Sequence, residues 1–190
     1  MVADVKRKMI VETALSLARR GLQRTSFSEI LAASGAPRGS LYHHFPGGKD
    51  ELVLAALEAA GDYALGAIER SAGASAVDVA SSFVTLWRSV LAGSDFGAGC
   101  AVVAVAVAAE TPELIERAAG VFRGWRTRLA ARLAAGGVPQ ARSGALSVSL
   151  IAAMEGAVVL ARAERSFEPF DLVASTQIEA VKAAMTERQG

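Results

Sequence analysis

Apolar residues recur at helical spacing along most of the 190-residue chain, and the breaks between them fall at Gly, Pro and Ser. Ile30, Leu31 and Ala33 are spaced to bury one face of a short segment, with Ser28 as its candidate N-cap and Gly35 where a chain leaving a helix often needs positive φ. Pro37 supplies a φ suited to the start of a second segment, in which Leu41 and Phe45, four apart, face inward. Arg38, Ser40, Tyr42, His43 and His44 are left mostly outside. The pattern predicts two short helices around a tight turn, a helix-turn-helix whose second helix presents hydrogen-bonding groups.

Downstream, Asp50 and Glu51 suit the first turn of a long helix, with Leu52, Ala56, Ala60 and Ala64 down one face, running to about Arg70. A loop at Ser71 to Ser75 precedes a helix marked by Val79, Phe83, Leu86 and Val90, which ends in the link from Gly93 to Gly99. Ala101 to Ala109 alternates partly like a strand, but no second strand exists for it to pair with, so a helix is expected. Thr111 and Pro112 open another helix, which stops at Gly136-Gly137. Two final helices are expected, roughly Gln140 to Ser166 and Asp171 to Thr186. The fold class is therefore all-α.

Charge sharpens this picture. Residues 1–50 hold eight Lys or Arg against four Asp or Glu, a balance of +4. The remainder holds twelve against fifteen, so the overall +1 hides a basic end and an acidic rest. Such asymmetry favours end-on docking to a polyanion. A short helix fits the major groove of duplex DNA, where Arg38 can grip guanine in a bidentate pair and the small Gly39 and Ser40 let the backbone come close. Tyr42, His43 and His44 can reach phosphates. Lys6, Arg7, Lys8, Arg19, Arg20, Arg24 and Lys49 are candidates for the ionic attraction that dominates protein–DNA affinity.

The run from Ile10 to Leu52 resembles the DNA-binding domain of TetR-family transcriptional regulators. The resemblance rests on an opening amphipathic helix ending near Gly21, a Thr25-Ser26-Phe27 start, the stretch Gly35-Ala36-Pro37-Arg38-Gly39-Ser40-Leu41-Tyr42-His43-His44-Phe45, and then Lys49-Asp50-Glu51-Leu52. Leu31 departs from the small Ala usual there, and Pro46-Gly47-Gly48 replaces the commoner link. This variant is similar to the subgroup typified by LmrA and YxaF. The resemblance implies a three-helix DNA-binding domain over residues 1–49 and a helical effector-binding and dimerisation domain over 50–190. It extends the expected DNA contacts to Thr25, Ser26, Ser28 and Pro37, beside Arg38, Gly39, Ser40, Tyr42, His43, His44 and Lys49.

The last two helices carry apolar stripes. Leu150, Ala153, Ala157 and Leu160 lie near one stripe with Gly156 beside it, and Ile178 and Val181 lie on another. Periodicity alone allows either burial within the protomer or pairing with a second copy; the resemblance selects a homodimer. Phe83, Trp87, Cys100, Val103, Phe122, Trp125 and Met154 are candidates to line a site for a small apolar effector. The function implied is a dimeric regulator, a repressor released from a palindromic operator by that effector; the alternative is a constitutive DNA-binding protein with a solid C-terminal domain.

Catalysis is hard to assemble from two adjacent histidines, no Gly-rich phosphate loop and no metal-ligand spacing, so neither an enzyme nor a metal or cofactor is expected. The lone Cys100 excludes an internal disulfide and agrees with a reducing compartment. No uninterrupted apolar run is long enough to cross a membrane, and Met1 to Lys8 is charged with no signal-like core after it. A cytoplasmic protein without membrane contact is expected.

Overall fold

The computed structural model of the chain describes residues 2–186, and they contain helices and no strand. In order these are α1 (Val2–Arg20), α2 (Phe27–Ser34), α3 (Arg38–His44), α4 (Lys49–Arg70), α5 (Ala76–Gly93), α6 (Ala101–Ala106), α7 (Pro112–Ala135), α8 (Gln140–Glu164) and α9 (Glu168–Thr186). Two compact units emerge: Met1–Asp62 with Cys100–Phe122, and Tyr63–Gly99 with Arg123–Gly190. The long helices α4 and α7 each contribute to both.

In the first unit α1 packs on α2 and α6, and Met9, Ile30, Leu41, Phe45 and Leu52 form a buried core. Large apolar side chains of this kind stabilise by about 1.5–3 kcal/mol each when fully buried. Leu31 is half-buried against that core, so the bulkier residue at this position is accommodated at its edge. Near the middle of α4, a Cβ placed on Gly61 would lie 2.9 Å from Val121 on α7, so only glycine permits this approach. An ion pair between Glu58 and Arg117 joins the same two helices.

In the second unit α8 packs against α9 and α5, and α5 against α9. Phe83, Leu91, Leu150, Met154, Phe170 and Val181 are among its buried side chains. Arg88 on α5 reaches Asp171 on α9 and lies 4.2 Å from the centroid of the Phe167 ring, so one side chain makes both an ion pair and a cation–π contact. Asp171 holds the Arg88 guanidinium above its ordinary value by hydrogen bonding to the charged form. Glu69 on α4 takes both Arg128 and Arg132 of α7.

Two boundaries differ from the sequence reading. The helix expected through Ala109 ends at Ala106, leaving Val107 exposed. Its β-branched residues propagate a helix poorly, and the Pro112 that follows disfavours helical φ/ψ at Thr111. The last helix begins three residues earlier than expected, at Glu168, because Pro169 is tolerated in a first turn. Averaged over 18 residues, α8 reaches a mean hydropathy of 1.9, long and apolar enough to cross a membrane although Ser147, Ser149 and Glu155 interrupt it. Its packing on α5 and α9 is that of a bundle's core helix.

Candidate nucleic-acid interface

Three residues set the ends of α2 and the start of α3. Ser26 caps α2, its hydroxyl accepting from the Glu29 N–H. The cap thus falls two residues before the expected Ser28, which is exposed within the first turn, its hydroxyl 3.2 Å from that of Ser26. Gly35 closes the helix in the left-handed region at φ 67°, and the N–H groups of Gly35 and Ala36 both reach the Leu31 carbonyl. Pro37, extended at φ −61° and ψ 145°, then starts α3. The result is a seven-residue helix anchored by Leu41 and Phe45, each 1 % exposed.

The opposite face of α3 looks outward. Tyr42 is 67 % exposed and meets Phe27 edge-on, with ring centroids 6.2 Å apart. His43 is exposed and His44 half-buried, their rings 5.1 Å apart, and His44 also stands against Phe45. Gly39 and Pro37 are exposed, while the Ser40 hydroxyl donates to the Pro37 carbonyl at 2.6 Å. The side chain of Arg38 lies outside the described residues. What α3 offers is a phenol, imidazoles and accessible main chain on a short helix held from behind by an apolar core, a geometry that fits a DNA groove.

Two expected contacts are corrected. Thr25 is 1 % exposed, so its side chain faces inward; its hydroxyl donates to Gly21 O at 2.8 Å and lies 3.1 Å from the Ser16 hydroxyl, closing the turn after α1. Lys49 is half-buried and its Nζ donates to the Leu22 carbonyl at 3.0 Å, fastening the start of α4 to that same turn. The unusual Pro46-Gly47-Gly48 link is secured beside it, where the Gly47 N–H donates to Glu51 Oε2 at 2.7 Å. Other basic residues also have internal work: Arg20 pairs with Glu29, Lys8 with Asp4, and Lys6 Nζ stands 5.4 Å from the Phe45 ring centroid. Arg7, Arg19 and Arg24 are exposed.

The expected effector residues divide between the units. Cys100, Val103 and Phe122 belong to the first, Phe83, Trp87, Trp125 and Met154 to the second. Trp87 is the centre of an aromatic group, edge-on to Phe83 and to Trp125 with centroids 6.3 Å away in each case. Its indole Nε1 is buried and has no hydrogen-bond partner among the described residues. Cys100 caps α6, its sulfur accepting from the Val103 N–H, which gives the lone cysteine a structural role.

Of the expected dimer residues, Leu150, Ala157 and Val181 are each 1 % exposed and pack within their own unit, so they present no surface to a second copy. Ala153 and Ile178 are half-buried, while Gly156 and Leu160 are exposed. Because α8 is apolar on two faces, helical period alone could not tell which one turns inward. The outward one carries Val148, Ala152, Gly156, Val159 and Ala163, with Leu172 of α9 also exposed.

A profile of bacterial regulatory proteins of the tetR family matches residues 10–56, and one for the C-terminal domain of LmrA/YxaF-like transcriptional regulators matches residues 76–176. An uncharacterized HTH-type transcriptional regulator of Mycobacterium tuberculosis (strain H37Rv) is 36 % identical, over 96 % of this chain and 97 % of its own. The Bacillus subtilis regulator YxaF is 28 % identical over 88 % of this chain and 91 % of its own. Among solved structures, a TetR transcriptional regulator from Chloroflexus aurantiacus superposes with a TM-score of 0.80 at 25 % identity, covering 95 % of this chain and 96 % of that one. A regulatory protein TetR from Rhodobacter sphaeroides shares the fold, with a TM-score of 0.82 at 22 % identity, over 92 % and 98 % of the two chains.

Proposed function

The chain belongs to the TetR family of bacterial transcriptional regulators, with a C-terminal domain of the LmrA/YxaF-like kind, and from that premise we propose that it is a homodimeric repressor released from a palindromic operator by a small apolar effector. The observation that carries the reading is the outward face of α3, where Tyr42 and His43 stand exposed on a helix braced by Leu41 and Phe45. In the proposed division of labour, residues 1–49 hold the DNA and residues 50–190 bind effector and partner. Ser28, Pro37, Arg38, Gly39, Ser40, Tyr42, His43 and His44 form the contact surface, and Ser26 supports it as a cap. A second copy covers the outward faces of α8 and α9, since an apolar helix surface of this size is favourably buried.

Release requires that the effector bind the DNA-free arrangement more tightly than the DNA-bound one; affinity alone shifts nothing. A coupling of about 1–3 kcal/mol lowers operator affinity roughly 5- to 150-fold. Constitutive binding is the competing reading, favoured by the near-complete burial of Phe83, Trp125 and Met154. The two are separated by titrating lipophilic compounds while tryptophan fluorescence and operator anisotropy are followed together. Compounds that bind and also release DNA support the repressor reading; compounds that bind without ever changing operator affinity replace it with the constitutive one.

A further inference from the structure

We propose that the Trp87 indole N–H is the polar anchor of the effector site, donating a hydrogen bond to an acceptor oxygen on an otherwise apolar effector; the inference rests on the effector-released reading above. Trp87 is 5 % exposed, and among the described residues its buried Nε1 has no hydrogen-bond partner. Burying a donor unmatched is costly, and a phenylalanine would fill an apolar core without that cost. Its aromatic neighbours do not answer the need: Phe83 presents only carbon, and the Trp125 indole nitrogen is itself a donor. An indole N–H only donates, so its match must be an acceptor such as a carbonyl, ether or hydroxyl oxygen. The adjoining rings of Phe83 and Trp125 require the rest of the molecule to be apolar. The donor therefore sets specificity. Hydrocarbons of the same shape enter with the N–H still unmatched, and acceptor-bearing ones satisfy it.

Fluorenone and fluorene, which share a tricyclic skeleton and differ by one carbonyl oxygen, are the probes. The chain contains two tryptophans, so isotope-labelled indoles give two N–H signals in the NMR spectrum of the full protein, and Trp87→Phe assigns them. The expected result is that fluorenone moves the Trp87 indole proton downfield while fluorene does not. Trp87→Phe should weaken fluorenone by about threefold to tenfold, the worth of one hydrogen bond, and change fluorene binding by less than about twofold. Trp125→Phe, the packing control, should affect both probes alike. The proposal is overturned if the Trp87 signal responds equally to both probes, if Trp87→Phe weakens both equally, or if neither probe binds. Operator affinity read in the same titration keeps the two readings apart. Fluorenone that engages Trp87 without changing operator affinity sustains the anchor and contradicts effector release. Probes that release operator without moving the Trp87 signal overturn the anchor and sustain release.

Discussion

The Lys49 ammonium lies 3.0 Å from the Leu22 carbonyl in a half-buried position, and that decides what its removal does. Lys49→Ala strands a carbonyl at the turn and loosens the junction between α1 and α4. We expect it to lower stability by about 1–2 kcal/mol, as hydrogen bonds to charged groups do, measured as the midpoint of chemical denaturation. An unchanged midpoint, with loss only in the salt dependence of DNA binding, returns Lys49 to the phosphate-contact role its charge suggests. Leu41 and Phe45 are legible in the sequence because one spacing fixes which face of a short helix is buried. Thr25 and Lys49 are not: the Thr25 hydroxyl bonds a carbonyl four residues back within its own turn, and the Leu22 carbonyl comes within reach of Lys49 only by tertiary closure. A hydroxyl or ammonium looks the same in sequence whether it meets a carbonyl or a phosphate.

At the scale of elements, α4 and α7 are tied in the second unit through Glu69, which receives Arg132 and Arg128. The Arg132 hydrogen bond, followed by the Arg128 charge, holds the Glu69 carboxyl below its ordinary range. A carboxylate depressed in the folded state stabilises above the unfolded value, and that contribution fades as pH falls through the folded one. Glu69→Gln should therefore lower Tm at neutral pH, with the two proteins converging in acid; all three side chains remain partly open to solvent, so the effect is small and screened by salt. Parallel Tm curves across the whole range contradict the assignment. Helix boundaries marked by Gly and Pro, as at Gly35, Pro112 and Gly136, are readable from sequence because these residues act on their own backbone. The inward face of α8 is not, since Leu150 and Val159 are equally apolar and only the contact with α5 and α9 distinguishes them.

At the scale of the whole molecule, the account needs a second copy on the outward faces of α8 and α9. A Cβ on Gly156 would meet nothing within 4 Å in the protomer, so Gly156→Trp leaves the isolated fold intact and obstructs only a close partner. Sedimentation should show the wild type dimeric at micromolar concentration, and the variant dissociated and about tenfold or more weaker on operator, with unchanged helical content. A variant dimer of wild-type affinity moves the interface elsewhere. The central claim, that α3 reads DNA as one of a two-fold pair, is tested most directly by selecting bound duplexes from a random pool with the full chain. The account predicts enrichment of an inverted repeat whose half-sites lie about one helical turn, roughly 34–36 Å, or a multiple of it apart, and loss of that enrichment in Tyr42→Ala with His43→Ala. Recovery of unrelated sequences by the wild type, or of the same repeat by the double variant, contradicts it.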